Sequence, residues 1–235
     1  MTQDDLKRAA GKYAAELVEN GMVVGLGEGS TAWWAIEHLA HRLRAGEVRD
    51  IAGIPCSRSV EAHARAVGLP ITDFERCARL DLTIDGADEV DVDCNLIKGG
   101  GGALLREKVV AENSRREVIV VDASKRSDHL GTRWAVPIEV VPFAVPAVER
   151  AMVRLGGAPT LRKRADGQPY VTDQGNAILD TRFGPIPDAP GLARRLDAIA
   201  GVVEHGLFIG LVHDLIIASP GGISHKTVRV PERLV

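Results

Sequence analysis

The sequence predicts an α/β protein in which a domain built on a parallel sheet is interrupted by a small α+β domain. Three observations predict it. Short apolar runs alternate with helix-spaced apolar patterns through the first half of the chain, the order of a parallel sheet with helices on both faces. From about Ala135 the order becomes strand-helix-strand-strand-helix-strand, a split βαβ of ferredoxin type. The late segments DLIIASP and KTVRV return to strand character and can rejoin the first sheet. The expected division is 1–132 plus 209–235 for the larger domain and 133–208 for the insert.

Leu6, Ala9, Ala10, Tyr13, Ala14, Leu17 and Val18 share one helical face, and Asn20-Gly21 stops that helix. Met22 to Leu26 is a short buried strand, and GLGEGST is the turn after it. Ser30 or Thr31 can cap a second helix carrying Ile36, Leu39, Ala40 and Leu43, which ends near Gly46. Val48 to Ile54 is a strand, Ser57 to Val67 a helix closed by Gly68, and Leu80 to Ile84 a further strand. Ala103 to Asn113 is helical, and Glu117 to Val121 is a strand of nearly continuous apolar character. In the insert, helices are expected at Val145 to Leu155 and Gly191 to Ala200. Strands are expected near Pro159 to Arg164 and Asn176 to Phe183, with a hairpin signal in VTDQGNAIL.

A chain of 235 residues can hold one sizeable core and a small second one, and 45% hydrophobic with 26% charged residues is ordinary for a globular protein. No run of ~18 apolar residues suggests a membrane span. The polar start MTQDDLKRAA lacks the apolar stretch of a secretory signal. Cys56, Cys77 and Cys94 form no CxxC pair, so neither a disulfide framework nor a zinc site is indicated and a reducing cytoplasm fits. A net charge of −3 gives no basic field for nucleic acid. An anionic ligand would be met by local groups.

Four polar segments follow predicted strands, where ligands bind in open parallel sheets. They are GLGEGST, DGADEVD (Asp85 to Asp91), KGGGGALLREK (Lys98 to Lys108) and DASK (Asp122 to Lys125). GLGEGST is neither a P-loop nor a full dinucleotide fingerprint, since no Gly-Lys-Ser/Thr ends it and Ser30 stands in place of a third glycine. It reads either as a plain tight turn or as a loop that lets backbone, helix N-terminus and the Ser30 and Thr31 hydroxyls hold a phosphate. DGADEVD puts Asp85, Asp88, Glu89 and Asp91 together after a buried strand. A solvated acidic loop is one reading, a metal site another, though EF-hand spacing is absent. KGGGGALLREK is the most specific stretch. Four glycines pack nothing, but their N–H groups can line a cavity beside Lys98, and the following helix carries Glu107 back toward it. His38 and His41 lie three apart on one helix, where surface positions outweigh a metal pair. His129, His205 and His213 have no partner at ligand spacing, and no serine has a His/Asp arrangement for nucleophilic hydrolysis.

Taken in order, LKRAAGKYAAELVENGMVVGLGEGST, IDGADEVD, LIKGGGGALLREK, VDASK, PIEVVPFA, VTDQGNAILD and GVVEHGLF closely resemble the type A ribose-5-phosphate isomerases over nearly the whole chain. The resemblance implies a Rossmann-like sheet domain with a ferredoxin-like lid, and interconversion of ribose 5-phosphate and ribulose 5-phosphate through an enediolate. It implies Glu107 as the base between C2 and C1, and Asp85 and Asp88 on sugar hydroxyls, with Asp85 assisting ring opening or O1/O2 proton exchange. Gly86 and Ala87 share that segment of the substrate site. Lys98 with the amides of Gly99, Gly100 and Gly101 would stabilise the enediolate; Lys125 and the loop Glu28, Gly29, Ser30 and Thr31 would complete substrate binding. No metal or organic cofactor is implied, and the expected assembly is a cytoplasmic homodimer or homotetramer.

Glu28 departs from the pattern, because relatives carry Thr or Ser there. A carboxylate ~5 Å from a phosphate would cost ~3 kcal/mol per charge pair at an effective dielectric near 20. Glu28 either turns outward or pairs with a lysine such as Lys7, or accepts a sugar hydroxyl, or marks a different sugar phosphate. A rival class, a non-catalytic sugar-phosphate sensor, is expected to carry a helix-turn-helix module, and none is read before the first helix. An amino-sugar phosphate isomerase or a coenzyme A transferase would not be expected to combine VTDQGNAILD with complete DGADE and KGGGG segments.

Overall fold

The computed structural model describes residues 2–228. In chain order its elements begin α1 Gln3–Ala15, β1 Val23–Leu26, α2 Ser30–Arg44, β2 Ala52–Pro55, α3 Arg58–Ala66, β3 Leu82–Asp85, β4 Glu89–Val90, β5 Leu96–Ile97 and α4 Leu104–Glu112. They continue with β6 Glu117–Asp122, β7 Val136–Val140, α5 Val145–Arg154, β8 Ala158–Leu161 and β9 Ala177–Arg182. The series closes with α6 Ala189–Asp197, β10 Val202–His205, β11 Leu207–Phe208, β12 Asp214–Ser219 and β13 Gly222–Thr227. Of the expected tail strand KTVRV, Arg229 and Val230 lie outside the described residues.

The chain divides into two compact units. The first takes the residues up to Ala87, then Arg106–Lys125 and those from Gly210 on; the second takes Asp88–Leu105 and Arg126–Ile209. This division differs from the expected boundaries mainly in Asp88–Leu105. That segment groups with the second unit because β4 and β5 pair there with β11 in a small sheet that no periodicity announces.

In the first unit the described strands form a sheet of order β13-β12-β6-β3-β1-β2. Every pairing from β12 to β2 is parallel, and β13 adds an antiparallel edge. Flanked on both sides, β6 is buried along its whole length, which is why EVIVV reads as continuously apolar. The chain order along the parallel strands reverses between β1 and β3, the switch point beside which open α/β sheets bind ligands. Its core gathers Val24, Leu26, Ile36, Leu39, Leu82 and Val118. The strand expected from Val48 starts only at Ala52, because Asp50 adopts φ 59°, a left-handed conformation that interrupts extended backbone.

The second unit carries a fully antiparallel sheet, β10-β7-β9-β8, with α5 following β7 and α6 following β9. This is the expected ferredoxin-type order. Ile138, Val148, Met152, Leu179, Leu192 and Leu196 form its core. The amphipathic patterns of α5 and α6 supply the helical half of it.

Candidate active site

In the first unit, the loop after β1 and the end of β3 meet at the switch point. Gly27 N–H donates to Ile84 O at 3.0 Å, which lays the loop against β3. A Cβ on Gly27 would stand 2.2 Å from the Asp85 carboxyl carbon, so only glycine lets the backbone pass this closely. Asp85 is 1% exposed and accepts the Gly86 N–H at 2.7 Å. The structure corrects the expected Ser30 or Thr31 cap. Gly29 is the N-cap of α2, at φ 104° and with no side-chain cap, so Ser30 and Thr31 already belong to the helix. Their N–H groups are therefore among the donors that a helix N-terminus leaves without intrahelical acceptors.

Glu28 does not use a lysine. Its Oε2 accepts from Ser57 Oγ at 2.5 Å and Ser59 Oγ at 2.9 Å. Ser57 is itself the N-cap of α3, accepting the Val60 N–H at 3.0 Å. The carboxylate thus sits at a helix N-terminus, where the dipole favours negative charge.

Two further candidates belong to this unit. Glu107 lies in the first turn of α4 and is 4% exposed. Lys125 ends the short 3-10 turn Ala123–Lys125 that follows β6. Asp122 fixes that turn by accepting both the backbone N–H and the hydroxyl of Ser124. Burial pushes the Asp122 carboxyl up, but hydrogen bonds from Ser124 and Gln3 and the Lys125 charge bring it below the usual carboxylate range.

In the second unit, Lys98 follows β5 directly and is 2% exposed, with its ammonium 5.5 Å from the Phe208 ring centre. The glycine run follows it. Gly99 takes φ 98°, a conformation open to glycine and strained for other residues, and Gly100 N–H donates to Asp88 Oδ2 at 2.7 Å. Asp88 therefore braces the loop as well as standing in the acidic segment.

Glu89 and Asp91 of DGADEVD have partners of their own within the second unit. Glu89 is fully buried and accepts the backbone N–H groups of Gly131, Arg133 and Trp134, a structural role. Asp91 accepts from Asp93 and Asn95, and burial raises its carboxyl above the usual range. Among the described residues, metal-ligand spacing occurs elsewhere. Asp197, Glu204 and His205 bring ligand atoms within 4.8 Å of one another, which corrects the expectation that His205 lacks partners. The trio joins the end of α6 to β10, so sequence spacing does not reveal it. His205 Nε2 already meets Asp197 at 3.1 Å and Nδ1 accepts the Leu207 N–H, a bonded histidine rather than an open ligand set.

Sequence reading also missed residues that hold these loops: Ser57 and Ser59 behind Glu28, and Arg162, Tyr170 and Asp180 behind the glycine run. Each acts across a long sequence separation; Asp180 closes the VTDQGNAILD segment, but nothing in that segment shows which loop it supports.

A family model for ribose 5-phosphate isomerase A (phosphoriboisomerase A) matches residues 52–222. The chain belongs to the ribose 5-phosphate isomerase A family. It is 55% identical to the ribose-5-phosphate isomerase A of Chloroflexus aurantiacus, over 94% of this chain and 92% of that relative. It is 52% identical to that of Desulfatibacillum aliphaticivorans, over 94% and 96%. A solved D-ribose-5-phosphate isomerase in complex with phospho-erythronic acid superposes with a TM-score of 0.94 at 34% identity, covering 97% of this chain and all of that one. The ribose 5-phosphate isomerase A of Methanocaldococcus jannaschii gives 0.91 at 36% identity, over 96% and 100%. Members of the family interconvert ribose 5-phosphate and ribulose 5-phosphate, which makes this chain an aldose–ketose isomerase.

Proposed function

We propose that Glu107 is the base of the isomerisation, and that Asp85, Asp88, Lys98, the Gly99–Gly101 amides, Lys125 and the loop Glu28–Thr31 act with it on one open-chain sugar phosphate. Glu107 takes the C2 proton of ribose 5-phosphate; the C–H electron pair becomes the C1–C2 double bond, and the carbonyl pair moves onto O1. The charge on that enediolate is met by Lys98 and the loop amides. Asp85 moves a proton between O2 and O1, and the protonated Glu107 returns its proton to C1, leaving the ketone at C2. The N-terminus of α2, with Lys125, holds the phosphate, whose binding energy keeps the reacting carbons in place.

Burial carries this reading. Glu107, Asp85 and Lys98 are 4%, 1% and 2% exposed, whereas side chains of these types are almost never this buried without a partner or a task. A carboxylate out of water is a stronger base toward a carbon acid, and amides and a cation out of water stabilise an oxyanion more. The phosphorylated sugar acid bound by the solved relative carries a carboxylate and a phosphate on one short polyol, the two charges such a site must hold. The family also places the reaction in pentose phosphate metabolism. A cytoplasmic homodimer or homotetramer remains part of the proposal; the free thiols of Cys56, Cys77 and Cys94 suit a reducing compartment, and light scattering would give the assembly.

The test is ribulose 5-phosphate formation by the wild type and by Glu107→Gln. The variant is expected to lose roughly 10²–10⁴-fold in kcat with little change in KM, the range of a general base. A variant within about tenfold of wild type would remove Glu107 from the mechanism.

A further inference from the structure

The glycine loop of the second unit is gripped from one side by a side chain outside every polar segment of the sequence. Arg162 follows the last residue of β8. Its Nε and Nη2 donate to the two oxygens of Asp180 on β9, at 2.8 and 2.5 Å. Its Nη1 donates to Gly99 O at 2.9 Å and to Gly100 O at 3.1 Å. The Tyr170 ring centre lies 5.8 Å from the guanidinium carbon, and the Tyr170 hydroxyl donates to Gly101 O at 3.1 Å. Three successive carbonyls thus have side-chain donors.

Peptide planarity gives this grip a direction, since N–H and C=O of one peptide group point opposite ways. The groups whose carbonyls belong to Gly99 and Gly100 carry the N–H groups of Gly100 and Gly101. Holding both carbonyls on one guanidinium turns both N–H groups the other way, and the first of them reaches Asp88 Oδ2. The Gly102 N–H also donates to Gly99 O at 3.0 Å, which closes a turn, but glycines have little preference of their own beyond it, so the Gly100 carbonyl is aligned by the external donor.

We propose that Arg162 is a positioning residue for the isomerisation: it aims the Gly101 amide, holds the Gly100 amide on Asp88, and polarises both through the carbonyls it binds. The inference rests on the oxyanion role proposed above for these amides. A cation hydrogen-bonded to a peptide oxygen strengthens the N–H of the same group as a donor. Asp180 fixes the guanidinium plane by a two-point pair, and only a fork of this shape serves a carboxylate and two carbonyls together.

The test uses the full chain with Arg162→Met, Arg162→Lys and Asp180→Asn, and with Gly101→Pro, which deletes one of the amides. The readouts are kcat and KM for ribose 5-phosphate, the inhibition constant of a phosphorylated four-carbon sugar acid, and the melting temperature. Arg162→Met is expected to lower kcat by about 10- to 100-fold, below the ~10²–10³ of deleting an oxyanion donor outright. The sugar-acid inhibition constant should rise by a similar factor while KM stays within about threefold. Arg162→Lys should recover little, and Asp180→Asn should fall between. A folded Arg162→Met with kcat within about threefold of wild type overturns the proposal, and so does a rise in KM at constant kcat, which would make Arg162 a substrate-binding group. Should Arg162→Met melt more than about 10 °C early, Asp180→Asn decides, and unchanged kcat there overturns it. Full activity in Gly101→Pro sinks the amide reading itself. An inactive Gly101→Pro beside normal Arg162→Met and Asp180→Asn sinks only the part given to Arg162.

Discussion

The two glycine-rich loops are held from behind by opposite charges. In the first unit the loop after β1 is tied by a carboxylate, Glu28, to two serines at the start of α3. In the second unit the loop after β5 is tied by a guanidinium, Arg162, through its own carbonyls. The difference comes from how soon each loop enters a helix. Gly29 leads directly into α2, and its carbonyl is taken by the Trp33 N–H at 3.0 Å, so the helix itself orients the peptide groups whose N–H donors face outward. No helix begins until Leu104 in the other case; Gly99 O is closed into a turn by the Gly102 N–H at 3.0 Å, while the Gly100 and Gly101 carbonyls are held by the side chains of Arg162 and Tyr170. An amide array at a helix N-terminus is self-supporting; one outside a helix needs a donor on its carbonyl side. On the proposed reading, the first loop can carry an acid at Glu28 because the backbone and the helix N-terminus, rather than that side chain, hold the phosphate.

The hardest test of the comparison is to move the self-supporting loop. Gly27→Ala would put a methyl carbon 2.2 Å from the Asp85 carboxyl carbon and 2.5 Å from its Cα, so the backbone has to shift rather than a flexible side-chain tip. Activity is expected to fall about 10²-fold, the scale of an ångström-sized misplacement, with a stability loss of about 1–3 kcal/mol from overpacking. Steady-state kinetics and a denaturant melt would measure both. Near-normal kcat would mean that the spacing of this loop against Asp85 is not what the chemistry needs.

Much of this was legible in the sequence, and the illegible part has a common cause. Periodicity gave the parallel sheet, because EVIVV and VVGL lie in the sheet interior and are apolar for that reason. Glycines and charges in short contiguous runs gave the loops, because backbone approach and charge are local properties. Partners were not legible. Glu89 reads as one more acid of DGADE, yet its three amide donors come from Gly131, Arg133 and Trp134, more than forty residues on in the chain. Arg162 reads as one more residue of a strand. The cap of α2 was misread because Ser30 and Thr31 are good capping types, and the φ of 104° that assigns the role to Gly29 is a property of the folded turn.

Glu28 offers a milder test. If its carboxylate only ties the loop to α3, Glu28→Thr should leave KM for ribose 5-phosphate within about twofold, since a local tie of this kind contributes about 1 kcal/mol that the helix N-terminus can largely supply. A fall in KM of about tenfold or more would show instead that the carboxylate had been repelling the phosphate. The first loop would then owe its binding to its side chain as well as its backbone, and the contrast with the second would weaken.

The smallest expected effect on catalysis concerns the supports of the two units rather than their loops. Asp214, buried at the start of β12, accepts from Arg116 Nε at 2.5 Å, His225 Nε2 at 2.7 Å and Thr227 Oγ1 at 3.2 Å. Burial alone would push its carboxyl up, but these donors and the Arg116 charge hold it below the usual range. Asp91 in the second unit, with Asp93 as its charged neighbour, is raised by burial. The signs of their linkage to stability are opposite. The Asp214 contribution is present above the unfolded pKa near 3.9 and is lost as pH falls through its lower folded value. The Asp91 penalty is absent at low pH and sets in as pH rises from about 3.9 through its higher folded value. Asp214→Asn should therefore cost about 1–3 kcal/mol at pH 7 and flatten the acid limb of the stability curve. Asp91→Asn should leave that limb in place and, where the asparagine oxygen keeps the turn, remove a small penalty at neutral pH. Denaturant melts of both variants from pH 3 to pH 7 would read the slopes. An acid limb unchanged in Asp214→Asn would assign it to other carboxylates of the first unit, with Asp122, likewise held low by its donors, the next to replace.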